Sequence, residues 1–268
     1  MSDTSRLDLE LVRRGLARSR GHARGLIDAG DVSIDGKPAA KPATPVGHGD
    51  RIEVREAGPR WVSRAAYKLV GALETFGPDG LTVAGKRCLD VGASTGGFTQ
   101  VLLHHDAAHV VALDVGHGQL VPELADDPRV TDRSRTTVRG LAAADIGGAV
   151  DLLVADLSFI SLTLVLDTFR GLLLDSGDAV VLVKPQFEVG RTRLGKGGIV
   201  RAYGDRAWAV TEVARAGVAA GLHPRALAKS PIEGSEGNAE YLLWLTPRDA
   251  QSLGWEALVR TADDVTAP

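Results

Sequence analysis

Four charged residues stand where short apolar runs begin or end, or in an element beside them. They are Lys68 within SRAAYKL, Asp156 closing DLLVAD, Lys184 closing AVVLVK and Glu240 opening EYLLWL. A charge at the end of an apolar strand is costly unless it is paired or solvated, so charges of both signs there are expected to meet. The chemistry open to such a set is removal of a proton from a weak acid such as a hydroxyl group. A lysine can serve as the base once it sheds its own proton, and a second lysine nearby favours that electrostatically. Arginine could not replace it, because arginine stays protonated. The two carboxylates would orient the ammonium groups and balance their charge. For an arbitrary set of this composition, two ordinary salt bridges are the simpler account, so the surrounding sequence has to decide.

The stretch DVGASTGGFT, residues 90–99, follows an apolar run and precedes a helix-like segment. It lacks the Gly-Lys-Ser/Thr of a nucleoside-triphosphate loop, so nothing is in place to hold outer phosphates. As a dinucleotide fingerprint it is poor, because Gly92, Ser94 and Gly97 give G-x-S-x-x-G, with serine where backbone must approach a pyrophosphate. Asp90 also argues against phosphate, since it sets a carboxylate near the turn. It suits a cationic ligand, and S-adenosylmethionine carries a sulfonium and an ammonium. Asp114, in VVALDVG, is spaced for hydrogen bonds to a ribose diol, although dinucleotide sites use such an acid too. A glycine turn that only lets a helix pack on a sheet is the alternative.

Around these residues the chain alternates helix and strand from about residue 64. RCLDVG, HVVALDVG, VDLLVADLS and DAVVLVKPQ are strand-length apolar runs, and SRAAYKLVGALETF, GGFTQVLLHH, LTLVLDTFRGLLL and GDRAWAVTEVARAGVAAG are helical. This predicts an α/β fold, a parallel sheet covered on both faces, with ligands beyond the carboxyl ends of the strands. Residues 58–63 read as a linker around Gly58 and Pro59, with Trp61 a packing residue, and residues 251–268 as a fraying tail.

Composition narrows the class. The chain has 268 residues, 44% hydrophobic and 24% charged, as soluble globular proteins do. Its single cysteine, Cys88, falls in a predicted strand and excludes an intramolecular disulfide; a reducing cytoplasm fits. No segment has the length of a membrane span, no signal peptide is evident, and the seven histidines lack metal-ligand spacing, so no metal is assigned. The net charge of −3 hides an asymmetry: residues 11–27 hold Arg13, Arg14, Arg18, Arg20 and Arg24 without a carboxylate. A local basic face can bind phosphates on a slightly acidic chain, or be simply a solvated helix face.

Residues 1–57 predict a small α+β unit: two short helices, Ser19 capping the second and Gly30 beyond its end, an Asp35-Gly36 hairpin after VSI, and RIEV as closing strand. LVRRGLARSR, AGDVSIDG and GDRI in this order resemble the S4 RNA-binding domain. The resemblance implies that Arg13, Arg14, Arg18, Arg20 and Lys41 meet RNA phosphates.

SRAAYKL, DVGASTGGFT, ADLSFISL, VKPQFEVG and GNAEYLLWL together resemble the TlyA family, described both as haemolysin-like proteins and as ribosomal RNA 2′-O-methyltransferases. SRAAYKL also looks like its counterpart in the FtsJ class of such enzymes. The resemblance runs from about residue 6 to about residue 246. It implies a Rossmann-like, S-adenosylmethionine-dependent methyltransferase domain over residues 64–250, preceded by the S4-like domain. The family's Lys-Asp-Lys-Glu tetrad falls on Lys68, Asp156, Lys184 and Glu240, with Lys184 the base. Its cofactor motif falls on Asp90, Gly92, Ser94, Gly96, Gly97 and Phe98, followed by Asp114. The implied substrate is cytidine ribose in ribosomal RNA, free or within assembled subunits, in the 16S or 23S molecule or both, with no membrane or obligate protein partner. PRWVSRAAYKL departs from the family, where many members have a small residue before Trp-Val and glycines after Ser-Arg.

Other basic side chains placed to hold RNA are Arg64, Arg135, Arg139, Arg191, Arg193 and Lys196, while Phe159 either stacks on a displaced base or packs in the core. Competing functions are an RNA-binding ribosome-assembly factor without turnover and a membrane-active haemolysin. An altered tetrad would favour the first and an exposed amphipathic segment the second; neither is seen. A dehydrogenase is disfavoured by Ser94.

Overall fold

A computed structural model describes residues 4–28, 30–39, 41–54, 59–195, 197–234 and 236–267. The chain forms two compact units, Met1–Arg60 and Trp61–Pro268.

In the first unit, β1 (Thr4–Arg6) leads into α1 (Leu7–Arg13) and α2 (Arg20–Asp28), then β2 (Val32–Ile34), β3 (Lys37–Pro38), β4 (Pro45–Gly47) and β5 (Ile52–Val54). Ser19 Oγ accepts from the His22 backbone N–H at 3.2 Å, satisfying one of the free donors at the start of α2. Asp35 and Gly36 both have positive φ, 49° and 77°, the requirement of the tight turn that joins β2 to β3. Strand β5 pairs with β2, and β1 with β4, all antiparallel. Leu7, Leu11, Ala23, Ile27, Val32 and Val46 form the core.

The second unit begins with α3 (Ala66–Phe76) and β6 (Arg87–Val91), then α4 (Gly97–His104), β7 (His109–Leu113), α5 (Pro122–Ala125) and β8 (Val130–Arg133). It continues through β9 (Val150–Ala155), α6 (Leu166–Leu172), β10 (Leu173–Val183), α7 (Pro185–Glu188), α8 (Tyr203–Ala219), β11 (His223–Lys229), β12 (Tyr241–Thr246) and α9 (Trp255–Thr266). Seven strands lie in the order β11-β12-β10-β9-β6-β7-β8. Successive residues of a strand serve opposite faces. Leu89, Val91 and Leu153 therefore join one core with Phe169 and Leu258, while Cys88, Leu152 and Val154 join another with Phe76 and Trp244. Burial pushes the Cys88 thiol up to about 12, which leaves it inert.

Four expectations need correction. The sheet is mixed, because β12 runs antiparallel to both β10 and β11. The predicted tail contains α9, whose Leu258 and Ala262 are fully buried in the core. The expected helix over LTLVLDTFRGLLL stops at Leu172, and Leu173 opens β10. The linker ends sooner than residue 63: Trp61 is buried and stacks edge-on against His104 at 5.5 Å, and the Val62 N–H donates to Gln100 Oε1. Gly58, the other end of that linker, and Lys196 lie outside the described residues.

Candidate active site

The parallel strands deliver Asp156 and Lys184 to one edge, each immediately after the last residue of its strand. Glu240 reaches the same edge by the opposite direction. In the β10–β12 register Val183 faces Tyr241, so the residue before antiparallel β12 lies beside the residue after β10. Lys68 comes from the first turn of α3. The four are buried, or nearly so, and form a chain. Glu240 Oε2 lies 2.6 Å from Lys68 Nζ, which lies 3.2 Å from Asp156 Oδ2. Asp156 Oδ1 lies 2.6 Å from Lys184 Nζ, which donates to Ser158 Oγ at 2.9 Å. Both signs alternate along the chain, so each buried charge has an opposite neighbour, the condition for tolerating it there. The alternation also leaves Lys184 at the end of the chain, the one lysine whose second partner is a neutral hydroxyl.

The glycine turn abuts this chain for steric reasons. Gly92 has φ +89°, and a Cβ there would sit 2.7 Å from the Asp156 carbonyl oxygen. A Cβ at Gly97 would overlap Ser63 Oγ and lie 3.2 Å from the Ala66 nitrogen, so only glycine lets α4 start against the segment leading to Lys68. Ser94 shares the left-handed bend at φ 47°, and Gly96 precedes α4 at φ +99°. Asp114, at the end of β7, accepts from the Ser94 N–H at 2.8 Å through Oδ2 and from the Gly116 N–H at 2.7 Å through Oδ1. Its carboxylate thus fastens the turn to the next strand.

Tetrad and turn line one cavity of 670 Å³, within the ~300–1,000 Å³ span of small-molecule sites. Gly92, Ser94, Gly97, Phe98 and Arg64 contribute to it, as do Ser158 and Phe159. Arg64 also donates to the Glu233 carbonyl. Asp90 does not face the cavity: it is fully buried behind the turn, where Oδ2 accepts from Thr99 Oγ1 of α4 at 2.7 Å. The Asp90 Oδ1 is buried with no hydrogen-bond partner among the described residues. Burial pushes this carboxyl up to about 7, against the Thr99 bonds that favour ionisation. Phe159 is 92% exposed at φ 65°, so core packing is not its role. Its ring lies 5.3 Å from that of Phe187.

The other basic residues are dispersed. Arg135 and Arg139 are exposed and outside the cavity lining. Arg191 is exposed, while Arg193 stacks on Trp208 at 4.3 Å and faces Asp205. In the first unit, Arg13, Arg18, Arg20 and Lys41 are exposed. Arg14 is half-buried and donates to the carbonyls of Asp50 and Gly47 at 2.7 and 2.9 Å, a structural use. Residues 11–27 lack a carboxylate, but α1 supplies two from just upstream. Buried Asp8 meets Arg6, Arg20 and Arg24, and buried Glu10 meets Arg13 and Arg14. Hydrogen bonds from Arg6 and from Arg13 hold the Asp8 and Glu10 carboxyls down at about 2.

Ser158 and Thr99 were not evident as site residues from sequence. Ser158, two positions after Asp156, was the more accessible, since a hydroxyl so close to a strand-end charge is a ready partner. Among the described residues no cluster of metal-ligating side chains occurs, and no helix is long and apolar enough to cross a membrane.

Comparison with known proteins follows the same lines. The FtsJ-like methyltransferase model matches residues 61–246 and the S4 domain model residues 5–52. The 16S/23S rRNA (cytidine-2′-O)-methyltransferase TlyA of Mycobacterium tuberculosis is 53% identical over 96% of both chains. The 23S rRNA (cytidine-2′-O)-methyltransferase TlyA of Campylobacter jejuni is 36% identical over 69% of this chain and 70% of its own. A solved Streptococcus thermophilus structure bearing a hemolysin name is 34% identical, with a TM-score of 0.70 over 98% of this chain and 97% of that one.

Proposed function

Because the chain belongs to the TlyA family of FtsJ-like methyltransferases, we propose that it methylates the 2′-hydroxyl of a cytidine ribose in ribosomal RNA from S-adenosylmethionine. The observation that carries this reading is the chain Glu240–Lys68–Asp156–Lys184, ending in the cavity beside the glycine turn. The cavity suits a small ligand that carries charges of both signs: glycines admit it to the backbone, and Asp156, Glu236 and Glu240 line it together with Arg64, Lys68 and Lys184. Gly92, Ser94, Gly97 and Phe98 would hold S-adenosylmethionine, with Asp114 toward the ribose diol and Asp90 and Gly96 shaping the turn from behind. When bound, it supplies a methyl group made electrophilic by the sulfonium.

Lys184, in its neutral form, accepts the 2′-hydroxyl proton at Nζ as that oxygen becomes the nucleophile. Asp156 fixes the direction of Nζ from one side and Ser158 from another. Lys68 draws on the other Asp156 oxygen and so weakens the hold of Asp156 on a protonated Lys184. Glu240 holds Lys68 in place from its other side, at 2.6 Å. Phe159, exposed at the cavity, stacks on the displaced base.

The S4-like unit grips RNA phosphates through Arg13, Arg18, Arg20 and Lys41, with Arg14 bracing the fold beneath them. Arg64, Arg135 and Arg139 extend the contact on the catalytic unit. The enzyme works in the cytoplasm on ribosomal RNA, free or within subunits. Of the two RNA specificities among these relatives, the higher identity to the 16S/23S enzyme, 53% against 36%, favours the dual one.

Transfer of labelled methyl to unmethylated 30S and 50S subunits, with the modified nucleotide mapped, tests this. Labelled 2′-O-methylcytidine is expected, and Lys184→Ala should lower kcat by about two to four orders of magnitude while cofactor affinity stays within a factor of two. Label on a base, or normal turnover by Lys184→Ala, overturns it.

A further inference from the structure

We infer that Glu188 is a positioning residue for this reaction: from one turn beyond Lys184 its carboxylate clamps the 157–162 loop and thereby presents Ser158 and Phe159 at the cleft. The inference rests on the role proposed above for Lys184 and Phe159. Glu188 ends α7, four residues after Lys184. Its Oε2 accepts from Ser161 Oγ at 2.5 Å, and its Oε1 accepts from the Leu162 N–H at 2.9 Å. Ser161 in turn caps the short helical turn 162–164, accepting from the Thr163 N–H at 3.2 Å. No salt-bridge partner for Glu188 occurs among the described residues. A largely buried carboxylate without a cation is costly, so the hydrogen bonds it makes are what hold it there. Both bonds go to one loop.

That loop needs holding. Phe159 is a non-glycine residue at φ 65°, a left-handed conformation that is unfavourable for a side chain of its size and persists only where the surroundings enforce it. Its ring is almost wholly exposed, so burial contributes nothing to the enforcement. The restraints come instead from either side. Ser158 accepts from Lys184 on the upstream side, and Ser161 and Leu162 bond Glu188 on the downstream side. Phe187, from the same turn of chain, meets the Phe159 ring between them. The single turn 184–188 therefore fixes the base and the loop together, which ties the direction of Nζ to the place of the aromatic ring.

The test uses the full chain and five variants: Glu188→Ala, Glu188→Gln, Ser161→Ala, Phe159→Ala and the double variant Glu188→Ala/Phe159→Ala. Two readouts are taken, methyl transfer to unmethylated subunits and backbone hydrogen exchange over residues 157–163. Glu188→Ala should lower kcat/KM about ten- to a hundredfold, as a misplaced reacting group does, with S-adenosylmethionine affinity unchanged within twofold. Ser161→Ala, which removes the same bond from the other side, should lower it in the same direction. Glu188→Gln, which keeps an acceptor for Leu162, should recover most of the rate. The double variant should be no worse than the poorer single, since both act through one loop. Exchange at 157–163 should quicken in Glu188→Ala. Multiplied losses in the double variant, a silent Ser161→Ala, or unchanged exchange in Glu188→Ala would each overturn the inference. If the wild-type chain transfers no methyl to either subunit, the proposed function fails, and the exchange measurement still decides whether Glu188 holds the loop.

Discussion

Asp90→Asn removes one titration and leaves its hydrogen bond in place, so it isolates a single electrostatic cost. The Asp90 carboxyl is wholly buried and raised from 3.8 to about 7. Between those values the folded chain holds a proton that the unfolded chain has released, so stability falls as pH rises from about 4 and levels off above about 7. At ~1.4 kcal/mol per unit the full penalty is roughly 4 kcal/mol, of which about 3 kcal/mol falls between pH 5 and pH 8. Asparagine keeps an acceptor for Thr99 Oγ1 and cannot ionise. Its amide hydrogens add a buried donor costing about 1–3 kcal/mol, but that offset does not vary with pH. All four tryptophans, at 61, 208, 244 and 255, belong to the second unit, so tryptophan fluorescence in urea follows that unit alone. The stability of wild type relative to Asp90→Asn should decline by about 3 kcal/mol from pH 5 to pH 8. Two profiles that run parallel to within ~0.5 kcal/mol would mean that Asp90 is ionised throughout, and the burial argument would be wrong.

Other outcomes follow from features described above. Arg18→Glu with Arg20→Gln should weaken RNA binding and flatten its salt dependence, by about 0.7–0.9 in log–log slope for each phosphate no longer neutralised. An unchanged affinity would remove this face from the RNA surface; glutamine is chosen at 20 to spare the buried Asp8 a like charge. Leu258→Ala should destabilise the second unit by about 2–5 kcal/mol, read by the same fluorescence, and an effect under ~0.5 kcal/mol would return residues 255–266 to the status of a tail. The first unit should lose stability as pH falls from about 4 to about 2. Asp8 and Glu10 carry depressed values there, so their contribution is complete above the unfolded range and disappears on protonation. Circular dichroism of an isolated 1–60 fragment with Asp8→Asn would show that acid transition shrinking; an identical transition would count against the pairing.

The tetrad was legible because charges interrupt apolar runs, and three of its four members follow or open strands visible as such. The direction of β12 was not legible. YLLWLT alternates with nothing and reads the same in either orientation, so only pairing with β10 and β11 reveals that Glu240 enters from the amino end of its strand. Helix α9 escaped notice because WEALVRTADDVT carries only a narrow apolar stripe, and Leu258 and Ala262 gain meaning from the core they meet. Asp90 shows the opposite limit. Its position before the glycine turn was plain, yet the sequence could not say that the side chain turns back toward Thr99 and away from the cavity. The arginine cluster was legible as charge, whereas Asp8 and Glu10, just outside the window, determine how much of that charge is shared within the fold.

The place of β12 has a consequence for the order in which the protein is made. It lies between β10 and β11, and among the described residues β11 pairs with no other strand. As the chain leaves the ribosome, β11 emerges with no ladder to join, and β10 presents an open edge until residues 241–246 arrive to separate and join them. The final strand acts as a keystone, closing an exposed edge of the kind that invites aggregation and bringing Glu240 to Lys68 in the same event. A nascent chain shorter than about residue 246 therefore has neither a finished sheet nor a complete charge chain, so competence waits on those last six residues of the sheet.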